Sequence, residues 1–414
     1  MAERKTIFFA SFYLFLFLLA PFVLSQTNED CLACHADPEL KAEAGKSLFV
    51  DNEKFLSSAH GKAEISCVDC HTDLGQTKDF PHASPLKPVD CSQCHETASQ
   101  EFQKSVHFMT TETKGSPIVV GCKDCHGTHD IRGSDDYDST IFPLNLPATC
   151  EKCHLKKVPA KKGPDFILKY EESVHFQALQ KFGLTMSANC SNCHGAHDIK
   201  QVSDPLSPVS RKNIIGTCGS CHVGIRKAYL EGVHGKDYVK GVGDVPVCTD
   251  CHSEHDILSR QDLKSKVYAT KVAEVCSRCH DNLALTRQYG MLASRLETYK
   301  ESFHGIASSF GETRVANCAS CHGFHDIRPS SDPNSSINPE NLPKTCGKCH
   351  PGASRNFAEA PIHVIRGEIA GTKYRFSYYV KNIYVIAITA IISVFLIFIA
   401  ADLFRRIIRK DKHG

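Results

Sequence analysis

Cys318-Ala-Ser-Cys-His322-Gly-Phe-His325-Asp-Ile327, with the histidine of Cys346-Gly-Lys-Cys-His350 placed 28 residues after His322, is the stretch on which the architecture turns. The same tailed motif recurs as CHGTHDI at His126, CHGAHDI at His194 and CHSEHDI at His252. Each time a Cys-x-x-Cys-His unit without the tail follows, and its histidine (His154, His222, His280, His350) again lies 28 residues on. A lone histidine, His107, His175, His234 or His304, stands 18 or 19 residues before the tailed-motif histidine. The chain is therefore a tandem array whose unit holds a plain motif, a helical histidine and a tailed motif.

The step from plain motif to helical histidine alternates between 12, 21, 12 and 24 residues, which defines a super-repeat from His95 to His222 and from His222 to His350. The longer unit of each super-repeat carries an insertion. The one from Asp281 to Lys300 is rich in helix formers and predicts a helix. Toward the N-terminus the pattern loosens. His35 belongs to a plain motif, His60 is its unit's helical histidine and His71 stands where a tailed motif would, with His82 the only histidine able to replace the missing tail. Terminal units of arrays are commonly atypical.

All 22 cysteines of the 414 residues fall in such units. They are Cys31 and Cys34 before His35, Cys67 and Cys70 before His71, Cys91 and Cys94 before His95, and Cys122 and Cys125 before His126. Cys150 and Cys153 precede His154, Cys190 and Cys193 precede His194, and Cys218 and Cys221 precede His222. Cys248 and Cys251 precede His252, Cys276 and Cys279 precede His280, Cys318 and Cys321 precede His322, and Cys346 and Cys349 precede His350. Two thiols three residues apart reach the two vinyl groups of one porphyrin, and the next residue sets an imidazole under the iron. Zinc half-sites and disulfide frameworks also use paired cysteines, but neither needs the histidine. At this histidine content eleven matches in eleven would arise by chance with a probability on the order of 10⁻¹⁴, so the motifs predict eleven covalent haem c groups.

Of the 23 histidines, eleven are motif residues and His413 lies in the C-terminal tail, leaving His60, His82, His107, His129, His175, His197, His234, His255, His304, His325 and His363. Eleven spare imidazoles for eleven second axial positions is the supply an all-bis-histidine protein needs. A residue three after the motif histidine cannot wrap to the opposite face of the same porphyrin. His129, His197, His255 and His325 are therefore expected to serve neighbouring haems. Asp130, Asp198, Asp256 and Asp326 follow them, as acceptors for the imidazoles or as elements of a local turn.

The ends predict a membrane protein. Residues 1–25, with an apolar run from Ile7 to Leu24, read as a secretory signal peptide. Ile383–Ala401 is 19 residues without a charge, long enough for a transmembrane helix. Tyr378, Tyr379 and Tyr384 lead it and Arg405, Arg406, Arg409, Lys410 and Lys412 follow, which places the basic side in the cytoplasm and the large domain on the periplasmic side. The resulting organisation is a degenerate N-terminal haem unit over 26–90, a first two-unit repeat over 91–221 and a second over 222–365 with the final haem. A juxtamembrane linker over 366–382, a transmembrane helix over 383–403 and a cytoplasmic basic tail over 404–414 complete it. About 32 exported residues per haem cannot build an ordinary core. The expected fold is mainly α with extensive irregular loops, an elongated array with haem as its core. A net charge of +2 without a basic stripe excludes nucleic acid as a partner.

These motifs resemble those of the multihaem c-type cytochromes of bacterial and archaeal respiration. The resemblance implies electron transfer between the quinol pool, or a membrane quinol-oxidising or cytochrome b type partner, and periplasmic or extracellular acceptors. The alternative is a multihaem reductase or oxidoreductase with one five-coordinate catalytic haem, for which the sites served by His82 and His363 would be the candidates. Such enzymes sometimes replace the motif histidine by lysine, and no Cys-x-x-Cys-Lys occurs here.

Overall fold

The computed structural model describes residues 26–43, 45–75, 77, 80–82, 84–112, 119–155, 165–291, 294–358, 362–363 and 372–410. The signal-peptide reading and His413 lie outside them. Among the described residues there is no strand, only an isolated antiparallel bridge between Lys41 and Ser47. Among the described residues the helices are short: apart from the last one, none exceeds nine residues, as in Leu146–His154, Val174–Phe182 and Val272–His280. The chain is mainly helical, with long irregular connections, as its Pro, Gly, Ser and Asp punctuation requires.

The constant 28-residue step has a structural cause. In the connector after a tailed motif a serine is buried, Ser139, Ser207 and Ser335 each at 2% exposure or less. In three of the four connectors an asparagine side-chain amide six residues later donates back across that serine; in the fourth, Ser265 is buried as well, but Lys271 and Val275 stand at the asparagine and threonine positions. Asn145 donates to the Tyr137 and Ser139 carbonyls at 2.8 and 2.9 Å, Asn213 to Pro205 and Ser207 at 2.8 and 2.9 Å, and Asn341 to Pro333 and Ser335 at 2.7 and 2.9 Å. The residue before the next cysteine then closes the loop: Thr149, Thr217 and Thr345 donate to the Thr140, Pro208 and Ser336 carbonyls at 2.7, 2.6 and 2.7 Å. With its backbone groups satisfied internally, the connector is a spacer of fixed length rather than a slack loop.

Two compact units result. One runs to Leu230 and takes in Tyr238–Ser265, and the other comprises Glu231–Asp237 and the chain from Lys266 onward. Apolar packing within the first is sparse: its buried cluster is Ile214, Ile215 and Val247, flanked by Val209, Tyr229, Leu230 and Tyr238. Most of the fully buried side chains are instead serines, among them Ser58, Ser105 and Ser173. So little buried hydrocarbon does not hold a chain of this length together by itself.

The last helix spans Thr372–Lys410, so the described part of the segment read as a juxtamembrane linker is helical and continuous with the apolar run. An 18-residue stretch within Tyr379–Arg405 reaches a mean hydropathy of 2.9, and none of that stretch is buried against the rest of the chain. Length and composition are those of a membrane-crossing helix.

Candidate haem sites

The tailed motifs sit on five-residue helices, Cys122–His126, Cys190–His194, Cys248–His252 and Cys318–His322. The residue between the two cysteines that adjoins the second one closes the helix N-terminus from its third position. Asp124 accepts from Gly121 N–H at 2.8 Å, Asn192 from Asn189 at 2.9 Å, Asp250 from Val247 at 2.6 Å and Ser320 from Asn317 at 3.1 Å. The helix stops at once because the residue after the histidine has positive φ: 86° at Gly127, 84° at Gly195, 73° at Ser253 and 86° at Gly323. That reversal throws the tail histidine away from its own motif. The tail aspartate folds back over the turn, and a Cβ at Gly127, Gly195 or Gly323 would meet Oδ1 of Asp130, Asp198 or Asp326 at 3.0 to 3.3 Å.

The helical histidines are set by a second device. Ser58, Ser105, Ser173 and Ser302, two residues before His60, His107, His175 and His304, accept from the N–H of Gly61, Phe108, Phe176 and Gly305 at 3.0 to 3.2 Å. The intervening N–H then docks on a tail isoleucine carbonyl. Ala59 donates to Ile131, Val106 to Ile199, Val174 to Ile257 and Val233 to Ile327, all at 2.8 or 2.9 Å. His60, His107, His175 and His234 are thereby registered to the tail of the next unit.

These devices bring ten motif histidines against ten of the spare ones. Ring centroids are 6.1 Å apart in His35–His82, 6.0 Å in His60–His95, 6.4 Å in His71–His129 and 6.1 Å in His107–His154. They are 6.0 Å apart in His126–His197, 6.2 Å in His175–His222 and 6.1 Å in His194–His255. His234–His280, His304–His350 and His322–His363 follow at 6.2, 6.1 and 6.4 Å. The assignment left open by the sequence takes a simple form. A helical histidine meets the plain motif of the following unit, and His129, His197 and His255 meet the tailed-type motif of the preceding unit. His82 lies against His35, and His60, grouped by sequence with the His35 motif, lies against His95.

A metal-to-imidazole bond of about 2.0 Å, with about 1.1 Å more from nitrogen to ring centre, would put two imidazoles holding one metal between them about 6.2 Å apart. Aromatic rings in contact range over about 4.5–7 Å, so a spread of only 0.4 Å over ten pairs has a cause other than ring contact. Interplanar angles run from 9° to 56°, as they can when both planes share the metal axis. Where Nδ1 has a partner it faces away from that axis: His35 to the Leu48 carbonyl at 2.8 Å and His363 to the Thr298 hydroxyl at 3.0 Å. Nε2 is left for the metal. Burial holds His107, His126, His154, His175 and His194 below the usual imidazole range and His234 down to about 4, which keeps the lone pairs available.

Two imidazoles supply only the axial donors. Among the described residues no cluster of three or more His, Cys, Asp and Glu side chains could hold a metal, so an equatorial macrocycle, rather than a tetrahedral zinc set, fits these pairs. The cysteines that would attach it are contiguous from motif to motif. The first thiols of neighbours lie side by side in Cys31–Cys67, Cys91–Cys122, Cys150–Cys190, Cys218–Cys248 and Cys276–Cys318. Second thiols adjoin the following motif, Cys125 to Cys150, Cys193 to Cys218 and Cys321 to Cys346. Burial, with Cys31 alongside, pushes the Cys67 thiol up to about 11.

Comparison with known proteins agrees with this geometry. Residues 59–155 match the cytochrome c3 family model, and residues 206–360 match that of the NapC/NirT cytochrome c family, N-terminal region. The chain is a membrane-associated multihaem c-type cytochrome. The cytochrome is 26% identical over 131 residues to the multiheme cytochrome MtrA of Shewanella baltica (strain OS185), covering 31% of this chain and 32% of that one. It thus spans about a third of the length of that relative. No solved structure matches it. Haem c and electron transfer are what these families have in common with the motifs.

Sequence reasoning missed the serine two residues before four of the helical histidines, the polar residue inside each tailed motif and the Ser/Asn/Thr set of the connector. Aligning the units on their histidines exposes all three.

Proposed function

We propose that the cytochrome binds eleven haems c, each with two histidine ligands, and conducts electrons between a quinol-oxidising or cytochrome b type partner at the membrane and a periplasmic or extracellular acceptor. The observation that carries this reading is the uniform facing of motif and spare imidazoles. The ten described pairs use every predicted ligand except His252 and His325, and these two bring the count to eleven of each kind. Bis-imidazole haem exchanges one electron between Fe(III) and Fe(II) and, with both axial positions filled, offers no site to a substrate.

The protein residues hold and insulate. Cysteine pairs fix each porphyrin edge, and the serine caps and isoleucine carbonyls fix the imidazoles. Contiguous motif cysteines keep neighbouring sites in sequence order within each compact unit. The helix at Tyr379–Arg405 anchors the chain, and the basic residues after it favour a cytoplasmic C-terminus, with the haem domain on the other side.

Low-temperature EPR of the oxidised protein, normalised to a pyridine haemochrome count, tests the proposal. Eleven haems per chain with low-spin signals only are expected. A stoichiometric high-spin ferric signal would overturn the conduit and favour a catalytic haem.

A further inference from the structure

The two inserted segments occupy the same register. Phe166-Ile-Leu-Lys-Tyr-Glu-Glu-Ser-Val-His175 aligns with Arg295-Leu-Glu-Thr-Tyr-Lys-Glu-Ser-Phe-His304, so Phe166 and Arg295 each stand nine residues before a helical histidine. The structure repeats the alignment. Tyr170 donates to the Ala188 carbonyl at 2.9 Å and Tyr299 to that of Ala316 at 3.1 Å, in both cases two residues before the first cysteine of a tailed motif.

The phenyl ring of Phe166 lies 5.5 Å from the imidazole of His154 and 5.4 Å from that of His255, the partner of His194. The corresponding imidazoles in the second super-repeat are those of His280 and of His363, the partner of His322. Arg295 stands beside them. Its helix, Arg295–Lys300, begins on the carboxylate of Asp281, the residue after His280, which accepts the Arg295 N–H at 2.6 Å. One turn on, Thr298 meets His363 Nδ1 at 3.0 Å.

We propose that Arg295 raises the reduction potentials of the two haems held at His280 and His322 above those of their counterparts at His154 and His194, where Phe166 takes its place. The inference rests on the haem assignment above. Reduction is a one-electron step, Fe(III) to Fe(II), with no bond made or broken and the electron supplied by a chemical mediator in the titration. It adds one negative charge to the haem, which a fixed cation nearby stabilises, more strongly where water is excluded. A phenyl ring provides no such charge.

Asp281 opposes the effect, but its oxygens are already engaged by the first amides of the helix, Arg295 at 2.6 Å and Leu296 at 3.1 Å. The guanidinium lies close enough to His280, His322 and His363 for its charge to act on all three.

The test is potentiometric titration of the full-length holoprotein, with the haem count measured on the same samples. Arg295→Gln is expected to move two haems to lower potential by about tenfold in their reduction equilibrium, or about 59 mV for a one-electron couple. Arg295→Lys is expected to hold the wild-type curve, and Phe166→Arg to raise two haems by a similar step. An unchanged curve in Arg295→Gln at full haem count overturns the proposal. If that variant loses haem, Arg295→Lys decides. Full count with wild-type potentials supports a charge effect, and full count with lowered potentials overturns it. A wild-type count other than eleven, or a high-spin signal, would count against the haem assignment and not against the role of Arg295.

Discussion

Ser253 is the one residue after a tailed motif that is not glycine, and it predicts a stability change of known sign. Its φ of 73° and ψ of −178° lie in a region that is essentially glycine-only, where a side chain costs about 1–3 kcal/mol. Ser253→Gly removes that cost and gives back about 0.5–1 kcal/mol through the looser unfolded chain, for a net gain of about 0.5–2 kcal/mol. The reciprocal change has the opposite sign. Gly195 has φ of 84°, and a Cβ there would stand 3.3 Å from Asp198 Oδ1, so Gly195→Ser is expected to lose about 1–3 kcal/mol. Guanidinium denaturation of the holoprotein, followed by helical circular dichroism, reads both. The midpoint should rise for Ser253→Gly and fall for Gly195→Ser. A fall for the first, or no change for the second, would refute the argument that these turns dictate glycine.

His175→Ala removes the partner of His222, and the expected result is one high-spin haem in eleven at full haem count, reversed by added imidazole and read by EPR. Ser173→Ala leaves the partly buried Phe176 N–H without its acceptor and should cost about 1–2 kcal/mol, with Ser173→Gly costing less, measured as a denaturation midpoint.

The covalent chemistry and the repeat were legible because they are local. A Cys-x-x-Cys-His unit needs no knowledge of the fold, and a tail five residues long announces itself four times. The helical content of the insertions was legible for the same reason, at Leu283–Gln288 and Arg295–Lys300. The pairing was not, since His126 meets His197 and His194 meets His255 through a carbonyl latch at the tail isoleucine, a contact that no residue-type preference encodes. Nor could the alternation of 12 and 21 or 24 residues reveal that the same register holds a phenyl ring once and a guanidinium once. That difference appears only when the units are superposed on their histidines.

The pairing rule also accounts for the irregular ends. Within the array a helical histidine faces the plain motif of the next unit and a tail histidine faces the tailed-type motif of the preceding one, so a regular unit does not pair its own histidines. An offset of this kind leaves one motif unserved at each end. His35 is faced by His82 in place of a helical histidine, and His322 by His363 in place of a tail histidine, with His363 held by the Thr298 hydroxyl from the second insertion. The two histidines that fit the repeat least are thus the ones its geometry demands. A cytochrome built by adding or deleting whole units at either end would have to carry these two closing segments with it, because ligand supply and folding are linked at every site.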